Sequence, residues 1–171
     1  MPPEGTVRID DAKIIFRNFI GKEGPFNAEG DRNFGVLLDD EVAEAMEADG
    51  WNVKWLKPRP DIEEEVEPQA WLPVFLKYKG RNGPVRPPLV AQITSRGRVN
   101  LGEDEVEVLD WAEMVAVDLI VRPFFWEVNG KSGTKAMLKT MFVTIQEDEL
   151  EIKYAHTRPV SDVNFEDENE D

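Results

Sequence analysis

The 171-residue chain contains no cysteine and a single histidine, His156. The first absence removes disulfide frameworks, thiol nucleophiles and zinc–thiolate sites. The second removes histidine metal triads and leaves serine–histidine catalysis without partners; a lone histidine near the C-terminus reads as a surface residue. No apolar run approaches the roughly 20 residues that span a bilayer. The first ten residues, MPPEGTVRID, lack a basic and an apolar region of the signal-peptide kind. No Gly-x-x-x-x-Gly-Lys phosphate loop occurs. The reading is a water-soluble, non-enzymatic protein of a reducing cytoplasm, with no cofactor, no metal and no membrane.

What the chain has in excess is acid, with a formal net charge of −15. The charge is segregated. Asp39–Asp49 and Ser161–Asp171 each hold six acids and no base, and Asp61–Glu67 holds five acids. Pro68–Gly102 holds six bases and no acid: Lys77, Lys79, Arg81, Arg86, Arg96 and Arg98. Segregation of this kind can leave one positive face on an acidic protein. The C-terminal SDVNFEDENED carries too little apolar surface to offset its ordering entropy and reads as a disordered acidic tail. Residues 1–158 then form one domain, and 159–171 the tail.

The pattern is β-rich. Expected strands are 6–19, 33–38, 51–56, 71–79, 89–99 opened at Gly97, 115–128 broken near Pro123, and 134–146. A helix begins at Asp39 or Asp40, with Val42, Ala45 and Met46 as its apolar stripe, and Gly50 ends it. A short acidic helix is expected over Glu103–Trp111, and Asn129-Gly130 is a hairpin turn. Pro73 marks an edge or bulge. Seven strands and two short helices fit an OB-fold-like antiparallel β-barrel, with a β-sandwich as the alternative.

Single-strand binders join a positive groove to aromatic rings, because every base has a π-face. Basic and aromatic residues interleave along the expected strands. The candidate nucleic-acid contacts are Arg17, Lys54, Lys77, Lys79, Arg81, Arg96 and Arg98, with Tyr78 and one of Phe124 or Trp126 stacking. Phe34, Phe75 and Phe142 read as core, as do Trp51 and Trp55, which share a strand face. Arg96 and Arg98 flank Gly97, where a bulge would aim both at one surface. The tail residues Phe165, Glu166, Asp167, Glu168, Glu170 and Asp171 read as a regulatory competitor for the same site.

The stretches RIDDAKIIFRNF, DRNFGVLLDD, GWNVKWLKPR, ITSRGR and NGKSGTKAMLKTMFVTI, followed by the acidic tail, resemble the single-stranded DNA-binding proteins of bacteriophages, including the phage T7 type. The resemblance covers most of the chain. It implies an OB-fold that coats replication or recombination intermediates without sequence preference, inside a bacterial host. It also implies a tail that moderates DNA binding and contacts phage polymerase, helicase or recombination proteins. In the T7 type the tail ends in an aromatic residue, whereas this chain ends Glu170-Asp171 with Phe165 six residues inside. Monomer and homodimer are both open. The rival reading is an acidic interaction module or DNA mimic that inhibits a host nucleic-acid enzyme. Net charge favours the rival, and the acid-free Pro68–Gly102 segment opposes it.

Overall fold

The computed structural model describes residues 4–25, 27–56, 68–79 and 86–157. Among these residues nine strands run in chain order: β1 (Val7–Ile9), β2 (Ile14–Asn18), β3 (Arg32–Leu38), β4 (Lys54–Leu56), β5 (Gln69–Leu76), β6 (Leu89–Thr94), β7 (Gly97–Leu101), β8 (Met114–Val128) and β9 (Lys131–Ile145). Helix α1 (Asp40–Ala48) follows β3, a 3-10 helix (Val106–Asp110) follows β7, and α2 (Glu149–Lys153) follows β9. No helix among the described residues is long and apolar enough to cross a membrane.

The ladders run β1-β8-β9-β5-β3-β2, so the two ends of the sheet are consecutive strands of the chain. Five Cα steps from Ile9 to Ile14 span at most about 17 Å. The sheet therefore has to curl. The segment between β1 and β2 is tied to both sides of the seam: the Ala12 amide donates to Val117 O at 2.7 Å, and the Leu37 amide donates to Lys13 O at 2.9 Å. No ladder joins β1 to β2; the chain itself bridges the gap. If β1 and β2 count as one bent strand, the order is that of an OB-fold-like barrel. Within it β9 pairs with β5 in parallel through Val74↔Ala136 and Phe75↔Met137, and with β6 in parallel from Leu89↔Thr140 to Ile93↔Thr144. The expected mainly β architecture with short helices stands, but it is not purely antiparallel.

Strand alternation builds the core. Phe34, Val36 and Leu38 of β3, Leu72, Val74 and Leu76 of β5, Val117, Leu119 and Val121 of β8, and Ala136, Leu138, Met141 and Val143 of β9 are all buried. Odd and even positions exchange roles in β9 because the β8–β9 ladder shifts register between Ile120 and Val121.

Several expectations need correction. The first strand splits at Asp10–Lys13, where Asp11 takes φ 50°, a left-handed conformation that aspartate tolerates, and its amide donates to Asp118 Oδ1 at 2.9 Å. The strand expected over 89–99 is a hairpin. Thr94 pairs with Gly97, whose φ of 119° closes a two-residue turn at Ser95-Arg96 that only glycine accommodates easily. Pro123 does not break β8, and the irregularities fall earlier, between Met114 and Ala116 and between Ile120 and Val121. Helix α1 buries Ala43 and Met46, whereas Val42 and Ala45 are exposed. Trp51 is core, but Trp55 is 37% exposed and donates its indole N–H to Glu47 at 2.9 Å. Pro73 stands inside β5, at the point where β5 changes neighbours from β4 to β9, which is where a missing ladder donor does least harm.

Candidate nucleic-acid interface

The register of the ladders defines the outer face of the sheet. On β5 Ala70, Leu72, Val74 and Leu76 alternate inward, so Trp71, Phe75 and, just past the strand, Lys77 point outward; Pro73, in register with them, is buried. Lys54 pairs with Trp71, and Met137 pairs with both Phe75 and Arg122, which places Lys54 and Arg122 on that same face. Phe124↔Lys135 and Trp126↔Gly133 continue it along β8 and β9, and Val128↔Lys131 brings Lys131 to its tip. Across β3, β4, β5, the distal half of β8 and the proximal half of β9, no outward paired position is acidic.

The acids lie elsewhere. Asp40, Glu41, Glu44 and Glu47 are on α1, Glu107 and Asp110 on the 3-10 helix, and Glu149 and Glu151 on α2. A protein of net charge −15 thus presents a cationic strand face bearing Lys54, Lys77, Arg122, Lys131 and Lys135. Its rings are held in place. The Lys135 ammonium is 5.2 Å from the Phe75 centroid, and Phe16 meets Trp71 edge-on at 5.0 Å. Phe16 itself has φ 51° where the β2–β3 ladder shifts register, which turns its ring outward. Two glycines lie under rings. A Cβ at Gly35 would stand 2.7 Å from Trp71, and one at Gly133 would stand 2.9 Å from Trp126.

From Phe124↔Lys135 to Val128↔Lys131, the β8–β9 hairpin extends past the ends of β1 and β5 as a two-stranded arm, with Trp51↔Thr134 as a bridge at its base. Phe124 and Phe125 lie on opposite faces of this arm and are 51% and 49% exposed. Its turn is Asn129-Gly130, both at positive φ, as the hairpin signal requires.

The sequence-derived candidates divide into groups. Lys54, Lys77, Phe124 and Trp126 share the outer face just described. Arg98, on β7, is also outward, with its guanidinium 4.8 Å from the centroid of Phe142 on β9 and its Nε donating to Asn100 Oδ1 at 2.8 Å. Arg96 lies in the β6–β7 turn, 3.4 Å from Glu151. Arg17 donates to Leu109 O at 3.2 Å and Ala112 O at 2.6 Å, tying β2 to the 3-10 helix. Tyr78 packs against the core, with the Arg32 guanidinium 5.7 Å from its centroid and its buried hydroxyl without a hydrogen-bond partner among the described residues. Burial pushes its phenol up to about 12, an effect that Arg32 opposes and Glu103 reinforces. Lys79 Nζ reaches Glu103 at 4.0 Å. Arg81, Phe165, Glu166, Asp167, Glu168, Glu170 and Asp171 lie outside the described residues.

The sequence reading missed Phe75 and Lys135. Phe75 and Phe142 were expected in the core, but both are half-buried on the outer face beneath a cation. The alternation Trp71, Pro73, Phe75, Lys77 was the available signal. Lys135 carried none, because its neighbour across the β9–β5 boundary lies far away in sequence. Among the described residues, no cluster of His, Cys, Asp or Glu could hold a metal ion.

The curled sheet has an OB-like strand order, left open between β1 and β2, with a ring-lined cationic face on β4, β5, β8 and β9 and a projecting β8–β9 hairpin. The chain belongs to a phage family: the family model described as "Putative phage ssDNA-binding domain" matches residues 3–171. Among solved structures, the chain is similar to the single-stranded DNA-binding protein from bacteriophage Enc34 with a C-terminal truncation, at TM-score 0.52 and 11% identity over 84% of this chain and 87% of that one. It is also similar to the Enc34 protein in complex with ssDNA, at TM-score 0.50 and 14% identity over 84% and 88% of the two chains. No curated protein matches it.

Proposed function

We propose that this protein binds single-stranded DNA without sequence preference and coats it during phage DNA replication or recombination in the host cytoplasm. The observation that carries this reading is the acid-free part of the outer face, over β4, β5, distal β8 and proximal β9 of a strongly acidic chain, with Phe75, Phe124 and Trp126 set among Lys54, Lys77, Arg122 and Lys135. Rings supply sequence-tolerant stacking, and the cations track the backbone. The family match, and the fold shared with an Enc34 protein solved in complex with ssDNA, support the choice of single-stranded DNA over other polyanions. In this reading residues 1–158 are the binding domain. Residues 159–171 compete with DNA for the cationic face and offer phage replication proteins an acidic handle.

The test is a titration of fluorescent oligo-dT against salt. Neutralising about five phosphates gives a log–log slope of about −3.5, at about −0.7 per phosphate for single strands. A slope near zero would contradict the proposal. Removing Ser161–Asp171 should tighten binding at low salt, and unchanged affinity would dismiss the tail's competing role. The DNA-mimic reading draws on the net charge of −15. A gel shift with single- and double-stranded oligonucleotides separates the two, because a mimic shifts neither.

A further inference from the structure

The outer strip of β9 does not end at Lys135. It continues through Thr140 to Phe142, beneath Arg98, with β6 alongside as far as Ile93↔Thr144 and with Asp118 of β8 paired to Phe142, its Oδ1 taken by the Asp11 amide. There β6 turns into β7 at Ser95-Arg96. This turn gathers donors that suit an anion: the Ser95 amide, the Ser95 hydroxyl and the Arg96 guanidinium, with Arg98 on the adjoining strand.

Carboxylates from the α2 segment fill that set. Glu147 Oε2 accepts from the Ser95 amide at 2.9 Å and Glu147 Oε1 from the Ser95 hydroxyl at 2.8 Å. Glu151 Oε2 lies 3.4 Å from Arg96 Nη2. An amide, a hydroxyl and an arginine that together hold carboxylates are the donor types from which phosphodiester oxygens also accept.

The segment is held loosely. Asp148 caps α2 by accepting from the Glu151 amide at 2.7 Å, and the Gln146 amide donates to Glu113 O at 2.8 Å at its root. Beyond these, α2 buries no residue, and Leu150, Ile152 and Tyr154 are exposed. Its docking on the β6–β7 turn is therefore electrostatic, and exposed charge contacts are individually weak and screened by salt.

We infer that the Ser95-Arg96 turn is a phosphate subsite at the end of the single-strand path, and that α2 closes it. Glu147 and Glu151 stand in for phosphate until a DNA strand displaces them. This rests on the single-strand-binding reading and adds an internal competitor distinct from residues 159–171.

The experiment compares full-length wild type with Glu147→Gln/Glu151→Gln and with a charge-matched control on α1, Glu41→Gln/Glu44→Gln, by oligo-dT titration at low salt. The α2 variant should bind roughly 3- to 10-fold more tightly, as release of two exposed charge contacts allows. The control should gain much less, and adding Arg96→Ala to the α2 variant should erase the gain. Hydrogen exchange gives a second readout: oligo-dT should speed exchange in residues 147–153 of the wild type. Equal gains in the α2 and control variants would reduce the effect to net charge and overturn the inference. So would slower exchange in α2 on binding DNA. If the wild type binds and the α2 variant binds with the same affinity, the latch is removed and the function stands. Absence of binding by every variant would remove both.

Discussion

Lys135 and Phe75 are neighbours across the parallel junction of β9 and β5, with the ammonium 5.2 Å from the ring centroid. The pair fixes a charge directly beside a partly exposed π-face, which is the pairing that single-stranded nucleic acid needs: a phosphate partner next to a stacking surface. The same combination recurs along the face at Phe124↔Lys135.

The rings on the arm should carry stacking energy. Phe124→Ala and Trp126→Ala are each expected to weaken oligo-dT binding by about 1–3 kcal/mol with the salt slope unchanged. Anisotropy titrations at two salt concentrations measure both quantities. Wild-type affinity in both variants would show that bases do not stack on this face.

The cations should behave differently. Lys77→Ala and Lys135→Ala should each flatten the log–log salt slope by about 0.7 and weaken binding equally for dT, dA and mixed sequences. A sequence-dependent loss, or an intact slope, would place the phosphates elsewhere.

Gly35 is a packing requirement of the same face. A Cβ there would stand 2.7 Å from Trp71 and 3.0 Å from Ile15. Gly35→Ala should cost about 1–3 kcal/mol through forced repacking, read as a lower urea midpoint at constant m-value. Because Trp71 also braces Phe16 at 5.0 Å, tryptophan fluorescence should shift as well. A midpoint equal to that of the wild type would mean that the ring moves aside freely.

Tyr78 sets an alkaline limit. Its hydroxyl is buried without a partner among the described residues, and burial raises its pKa to about 12. The unfolded value is about 10, so the folded state retains a proton that the unfolded state releases. The stabilising contribution is complete below pH of about 10 and is lost as pH rises toward 12. Tyr78→Phe should therefore change stability at pH 7 by less than about 1 kcal/mol, since no hydrogen bond is lost. It should also soften the decline between pH 10 and 12. Thermal melts across that range decide it, and a large loss at neutral pH would reveal a partner for the hydroxyl.

Much of this was legible in the sequence because local patterns report local structure. Alternation marked β3, β5, β8 and β9; Asn129-Gly130 marked the hairpin; Asp39-Asp40 and Gly50 bounded α1; and the absence of cysteine and scarcity of histidine removed whole classes of catalysis. Charge segregation along the chain pointed to the Pro68–Gly102 segment, of which only Lys77 joins Lys54, Arg122, Lys131 and Lys135 on the strand face, while the quoted stretches placed the chain among phage single-stranded DNA-binding proteins. What the sequence could not show was which neighbours each strand would acquire. Phe75 and Phe142 look like core residues until the ladders put them outside, under Lys135 and Arg98. Arg17 looks like a free cation until it meets two carbonyls across the seam, at Leu109 and Ala112. The parallel β5–β9 and β6–β9 junctions join segments far apart in sequence, and no local pattern encodes a partner at that distance. Residue type and periodicity determined the elements and the kind of chemistry; the curl of the sheet decided which rings and cations share a surface.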